Sequence, residues 1–319
     1  MTIAIMGAGA FGTALAVVLA QNGTGVTLWA RDATTANTLQ SERINAKRLP
    51  GVTLPDTVRI THDMGAVAAS DTILMAVPMQ TLRGVLHDNC DALANKTLVA
   101  CCKGFEVATG TGPSAILREY TRQAAILTGP SFAHDIAGGL PTALTLAATS
   151  DELGQALQSE LGTKTLRLYR TTDMIGAELG GALKNVIAIG CGATIGAGLG
   201  DSARAALMTR GFAEMARMAQ ALGAQTDTLA GLSGFGDLSL TCMSAGSRNY
   251  RYGHALGQGD TFDPTITVEG AATAQAALTK AQELGIDMPI TAAVHALSTG
   301  RLDIATAMEH LLTRPQKEE

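Results

Sequence analysis

The most constraining feature of the chain is a turn. Residues 7–12 read G-A-G-A-F-G, directly after the apolar run Thr2–Met6 and directly before an apolar stretch that ends at Gly23. A buried strand that passes at once into a helix is served by glycines at this spacing. Gly7 makes the tight turn, Gly9 leaves the backbone open to a pyrophosphate, and Gly12 lets helix and strand pack closely. The helix start then offers its free N–H groups to an anion. With 36 glycines in 319 residues, the motif alone could arise by chance. Its setting between strand and helix makes it a dinucleotide site.

The same rhythm continues downstream. Apolar runs at GVTLW, 71–77, 96–102, 123–129 and 142–148 read as strands, and stretches such as MQTLRGVLHDNCDAL between them carry helical spacing. Continuous apolar strands separated by helices predict a parallel sheet covered on both faces. The expected fold is therefore α/β, with a Rossmann-like, doubly wound dinucleotide-binding domain over residues 1–178. Beyond it the β-branched runs give way to Ala-, Leu- and Met-rich helical segments, several closed by glycine. Residues 179–319 are expected to form an all-helical substrate and catalytic domain, with a frayed tail from Arg314.

Composition narrows the partners. A formal net charge of −5 and only 11 aromatic residues provide neither the basic field nor the stacking platforms of a nucleic-acid binder. Any anion must be met by local cations. The five cysteines, Cys90, Cys101, Cys102, Cys191 and Cys242, have no zinc-site spacing and form no disulfide framework, so no metal is expected. The N-terminus lacks the basic region and cleavage site of a signal peptide. The uncharged stretch after Lys184 is short and glycine-rich for a bilayer span, and reads as a buried helix. A cytoplasmic protein is expected.

Several residues carry chemistry. Arg31 and Asp32 follow the second strand, where arginine accommodates a 2′-phosphate and an acid accepts a ribose hydroxyl. Arg31 favours NADP(H), and Asp32 leaves NAD(H) open. Lys184 and Glu178 are the only charges between Met174 and Gly200. Desolvation and a neighbouring cation would make such a lysine a general acid or base; a salt bridge to Glu178 would make it structural. Lys103 follows a strand, as do Gly129, Pro130 and Ser131, and ligands bind at those strand ends. Asp237 lies in an otherwise uncharged segment, and Ser247, Arg248 and Asn249 together suit a phosphate.

These clusters together resemble the NAD(P)-dependent glycerol-3-phosphate dehydrogenases of the bacterial, soluble type. The matching motifs run in order from GAGAFGTALA through LWARD, CKGFE, TGPSFAHDI, LGGALKNVIAIG, GFGDL, SRN and TVEG. The resemblance implies that Lys184 exchanges a proton with the C2 oxygen of glycerol 3-phosphate and that Lys103 touches both cofactor and substrate. It assigns Gly129, Ser131, Asp237, Ser247, Arg248 and Asn249 to a small phosphorylated substrate. Gly7, Gly9, Phe11, Gly12, Arg31, Ala133, Arg248 and Glu269 fall to the cofactor. It also implies a supply of glycerol 3-phosphate to phospholipid synthesis, and the glycine- and alanine-rich helices, which often bury a partner surface, point to a homodimer. The alternatives are a β-hydroxyacid or 2-hydroxyacid dehydrogenase of the same plan and a non-catalytic cofactor sensor. The first places an asparagine four residues after its lysine, where this chain has Ala188.

Overall fold

The computed structural model describes residues 2–313, so the expected fraying from Arg314 lies outside the described residues. The chain divides into two compact units. The first comprises Met1–Lys103 and Thr111–Glu178; the second comprises Gly104–Gly110 and Leu179–Glu319.

The first unit is built on one eight-stranded sheet. Its strands are β1 (Thr2–Met6), β2 (Gly25–Trp29), β3 (Val58–Thr61), β4 (Thr72–Met75), β5 (Thr97–Ala100), β6 (Ala124–Thr128), β7 (Thr142–Ala148) and β8 (Leu166–Thr171). Their spatial order is β3-β2-β1-β4-β5-β6-β7-β8. Strand β1 lies inside the sheet, third in this order, and its alternation separates two cores: Ile3 and Ile5 join one apolar cluster, Ala4 and Met6 the other. Apolar residues on both faces explain why TIAIM reads as a continuous apolar run.

Two features depart from the parallel sheet expected. Strands β3 and β8 escaped the sequence reading because the first is only four residues long and the second, LRLYRT, alternates apolar and polar residues. Strand β7 runs antiparallel to β6, with Thr128 opposite Thr145. The only helix between them, α3 (Ala133–Ala137), has five residues. A helix of that length spans about 7.5 Å, too little to carry the chain back along the sheet for a parallel crossover.

In the second unit, a long helix continues from the end of the first. Helix α4 (Met174–Gly196) is long and apolar enough to cross a membrane, yet 89% of its most apolar window is buried within the protein. It is a core helix. Against it runs α6 (Arg248–Gln258), and the two meet backbone to backbone. A Cβ on Gly253 would lie 1.9 Å from the Ile189 carbonyl oxygen, and one on Gly257 would lie 2.2 Å from that of Ala193. Gly192 and Gly196 of α4 face Tyr250 and His254 just as closely, at 2.1 Å each. The paired positions rise together, so the helices are parallel, and the register sets Asn249 level with Asn185. Small residues one turn apart on both helices permit this approach.

Candidate active site

Helix α1 (Ala10–Gln21) begins directly behind β1, with Gly9 as its N-cap and no side chain capping it. The three glycines of this turn have different reasons to be there. Gly7 has φ +117°, and a Cβ on it would lie 2.5 Å from the Ala76 carbonyl oxygen. A Cβ on Gly12 would lie 2.1 Å from the Gly7 carbonyl oxygen. Both are demanded by the fold. Gly9 is not: its φ is an ordinary −76°, and a Cβ there would meet nothing within 4 Å. Open space beside a helix N-terminus fits an anion that approaches the backbone. Phe11 sits in the first turn, partly buried.

At the end of β2, Arg31 is exposed. The Asp32 carboxylate caps α2 (Ala33–Glu42), accepting the Thr35 N–H and hydroxyl at 2.7 Å each. These bonds hold the carboxyl below its usual range. Asp32 is thus engaged in starting a helix, while Arg31 projects from the strand end.

The ends of β5 and β6 bring three expected residues together. Lys103 Nζ donates to the Gly129 carbonyl at 3.2 Å, and Ser131 Oγ donates to the same oxygen at 3.2 Å. Gly129 is in the left-handed region at φ +142°, and a Cβ there would press on Leu144 at 3.1 Å. Ala133 opens α3 one turn further on, partly buried.

In the second unit, Lys184 is buried, and its ammonium donates to Asp237 Oδ1 at 2.6 Å and to Thr241 Oγ1 at 2.8 Å. Asp237 and Thr241 both lie on α5 (Asp237–Met243). Thr241 Oγ1 donates its own proton to the Asp237 carbonyl at 2.6 Å, which leaves a lone pair facing the lysine. Sequence reasoning missed Thr241. The signal was present, since residues four apart on a helix share a face.

The partner of Lys184 removes one alternative. Glu178 does not pair with it; its carboxylate accepts the Ser114 N–H at 2.7 Å, at the start of the helix Pro113–Arg118. Burial pushes this carboxyl up to about 7. A spacing of six residues places Glu178 and Lys184 on different faces of α4.

The SRN cluster starts α6. Ser247 is the N-cap and accepts the Tyr250 N–H at 3.2 Å, Arg248 is exposed, and Asn249 Oδ1 accepts the Gly270 N–H at 3.0 Å. Glu269 and Gly270 open α7 (Glu269–Leu284). A Cβ on Gly270 would meet the Asn185 carbonyl oxygen at 2.6 Å and Asn249 Oδ1 at 2.9 Å. The bare glycine therefore lets α7 reach the residue next to Lys184.

Comparison with known proteins decides the family. The N-terminal description of the NAD-dependent glycerol-3-phosphate dehydrogenases matches residues 2–154, and the C-terminal description matches residues 173–309. The chain belongs to this dehydrogenase family. Glycerol-3-phosphate dehydrogenase (NAD(P)+) of Ruegeria sp. (strain TM1040) is 61% identical to this chain, with all of both chains covered. The protein of the same name from Paracoccus denitrificans is 56% identical over the same coverage. The crystal structure of glycerol-3-phosphate dehydrogenase from Coxiella burnetii matches the fold at a TM-score of 0.92 and 35% identity, over 98% of this chain and 99% of that one. A D-mandelate dehydrogenase structure, at 16% identity and a TM-score of 0.66, shares the fold alone.

Proposed function

We infer that the chain is an NAD(P)-dependent oxidoreductase that interconverts dihydroxyacetone phosphate and sn-glycerol 3-phosphate. The observation that carries this reading is the buried Lys184 ammonium on Asp237 and Thr241, in a chain alike over its full length to relatives named for that reaction. The open cradle at Gly9, ahead of an uncapped helix, fits a dinucleotide.

The bound cofactor supplies or accepts a hydride at its nicotinamide ring. Everything else falls to the chain. In the reducing direction, Lys184 Nζ donates a proton to the oxygen of the substrate carbonyl, and in the oxidising direction the neutral amine takes it from the C2 hydroxyl. Asp237 and Thr241 fix the direction in which that proton is offered. Lys103 binds and orients substrate and cofactor, beside Gly129 and Ser131. Ser247, Arg248 and Asn249 bind the substrate, with the Arg248 guanidinium for its phosphate. Gly7, Gly9, Phe11, Gly12, Arg31, Ala133, Arg248 and Glu269 contact NADP(H) or NAD(H), Arg31 favouring the 2′-phosphate.

The product serves phospholipid synthesis in the cytoplasm. The working form is a homodimer, with the glycine- and alanine-rich helices of the second unit supplying the partner surface. Light scattering on the purified protein tests that assembly.

The decisive assay follows NADPH and NADH oxidation with dihydroxyacetone phosphate and with non-phosphorylated keto acids. Turnover of the phosphorylated substrate alone is expected. Turnover of a keto acid without dihydroxyacetone phosphate would favour the hydroxyacid dehydrogenase reading and overturn this one.

A further inference from the structure

The connection between α2 and β3 is a closed loop. Ile44 and Thr53 form an antiparallel bridge, and Leu54 N–H donates to the Arg43 carbonyl at 2.7 Å. Arg43 Nη2 donates to the carbonyls of Pro55 and Val58. Leu49 and Leu54, 2% and 1% exposed, anchor the loop in the core of the first unit. One polar side chain of this loop is turned inward. Asn45 is buried, and its amide spends one hydrogen on the glycine turn and one on the helix after it: Nδ2 donates to the Ala8 carbonyl at 3.0 Å and to Thr13 Oγ1 at 2.8 Å. Thr13 is fully buried on α1.

The chemistry of the peptide unit gives this contact a consequence. The Ala8 carbonyl and the Gly9 N–H belong to one planar trans peptide, so they point in opposite directions. A donor that holds the Ala8 oxygen therefore aims the Gly9 N–H the opposite way, at a residue whose Cβ would meet nothing within 4 Å. The second bond, to Thr13, ties the same amide to the helix that this residue caps. The uncapped turn has no side chain of its own to fix its direction.

We propose that Asn45 is a positioning residue for the dinucleotide: by clamping the Ala8 carbonyl, it pre-aims the Gly9 N–H at the cofactor pyrophosphate. This rests on reading the glycine turn as the cofactor site. Asn45 touches no reacting atom, so its effect belongs in affinity for the cofactor and not in turnover. Losing the clamp leaves a partly buried carbonyl without this donor and a peptide free to rotate, which corresponds to at least about a tenfold weaker complex.

The test is a titration of the full-length protein with NADP+, read by calorimetry, with Asn45→Ala, Asn45→Asp and Gly9→Ala. Folding is checked by the fluorescence of Trp29, the chain's single tryptophan. Asn45→Ala is expected to raise Kd for NADP+ and KM for NADPH at least tenfold, with kcat and KM for dihydroxyacetone phosphate within threefold of the parent. Asn45→Asp keeps the shape but, when ionised, has no proton to donate; its Kd relative to the parent should fall at least fivefold between pH 7.5 and 5.0, as the carboxyl gains one. That ratio is the deciding measurement should the alanine variant not fold. A Kd for Asn45→Ala within twofold of the parent, or a flat ratio for Asn45→Asp, overturns the proposal. Gly9→Ala separates the two readings. Unweakened binding in that variant overturns the cofactor site itself, whereas weakened binding there beside an indifferent Asn45→Ala overturns only the clamp.

Discussion

Replacing Lys184 by methionine keeps the unbranched stem of the side chain and removes its charge. The Lys184 side chain is 9% exposed and that of Asp237 is 1% exposed, so water cannot take the place of the lost ammonium. An exposed ion pair would be worth at most about 1 kcal/mol. Removing one partner of a buried pair costs about 3–5 kcal/mol, because the other charge is stranded. Lys184→Met is therefore expected to lose about 3–5 kcal/mol. Asp237→Asn should lose about 1–3 kcal/mol, since its amide oxygen can still accept from the lysine. The double variant Lys184→Met/Asp237→Asn strands no charge and should return to within about 2 kcal/mol of the parent, a coupling of about 2 kcal/mol or more. Urea unfolding of the four proteins, followed by far-ultraviolet circular dichroism, measures this cycle. Activity separates stability from chemistry: both variants that lack the lysine should lose kcat by about a hundredfold or more, the stable double variant included. Additive losses in the cycle would refute the buried ion pair. Retained turnover in the double variant would refute the role of Lys184 in proton transfer.

Other expectations follow from the same geometry. Gly12→Ala drives a methyl group into the Gly7 carbonyl oxygen and should cost about 3 kcal/mol or more, whereas Gly9→Ala, with open space around its Cβ, should shift stability by no more than about 1 kcal/mol; thermal melts of the two variants make the comparison. Glu178 links stability to pH. Burial raises its carboxyl from 4.5 to about 7, so the folded state holds a proton that the unfolded chain has already released. Stability should fall by up to about 3 kcal/mol as pH rises from 4.5 to 7. Glu178→Gln should flatten that slope in Trp29-monitored urea midpoints, and an unchanged slope would assign it to another group. Arg31→Ala should raise KM for NADPH at least tenfold and change KM for NADH little, as read in steady-state assays of both cofactors; an unaltered preference would dismiss Arg31 as the 2′-phosphate contact.

Local signals in this chain were legible where local chemistry sets the structure. A strand, a turn and a helix within twenty residues need only their own glycines and apolar runs, so G-A-G-A-F-G announced its conformation in the sequence. The alternation of apolar runs and helical spacing likewise announced an α/β unit followed by helices. The direction of β7 was not announced by its residues: TALTLAA is as apolar as a parallel strand, and only the short helix before it turned the chain round. The edge strands β3 and β8 carry too few buried residues to stand out.

The candidate site divides in the same way. Residue types at Lys103, Lys184, Asp237 and the SRN cluster drew attention in the sequence because charges and amides in apolar surroundings need partners. Which partner each one has was a tertiary decision. Lys184 meets Asp237 across 53 positions of sequence, although Glu178 is only six away, because six residues on a helix point in different directions. Asn45 reaches Ala8 across 37 positions, and no spacing rule joins them. Many of the glycines also acquired their reason only in three dimensions: Gly253 and Gly257 look like poor helix formers until α4 is laid against them. The sequence by itself determined the local turn and the kinds of residue that chemistry would need. Tertiary structure decided the pairings, because hydrogen bonds and backbone contacts between distant segments depend on where the whole chain places them.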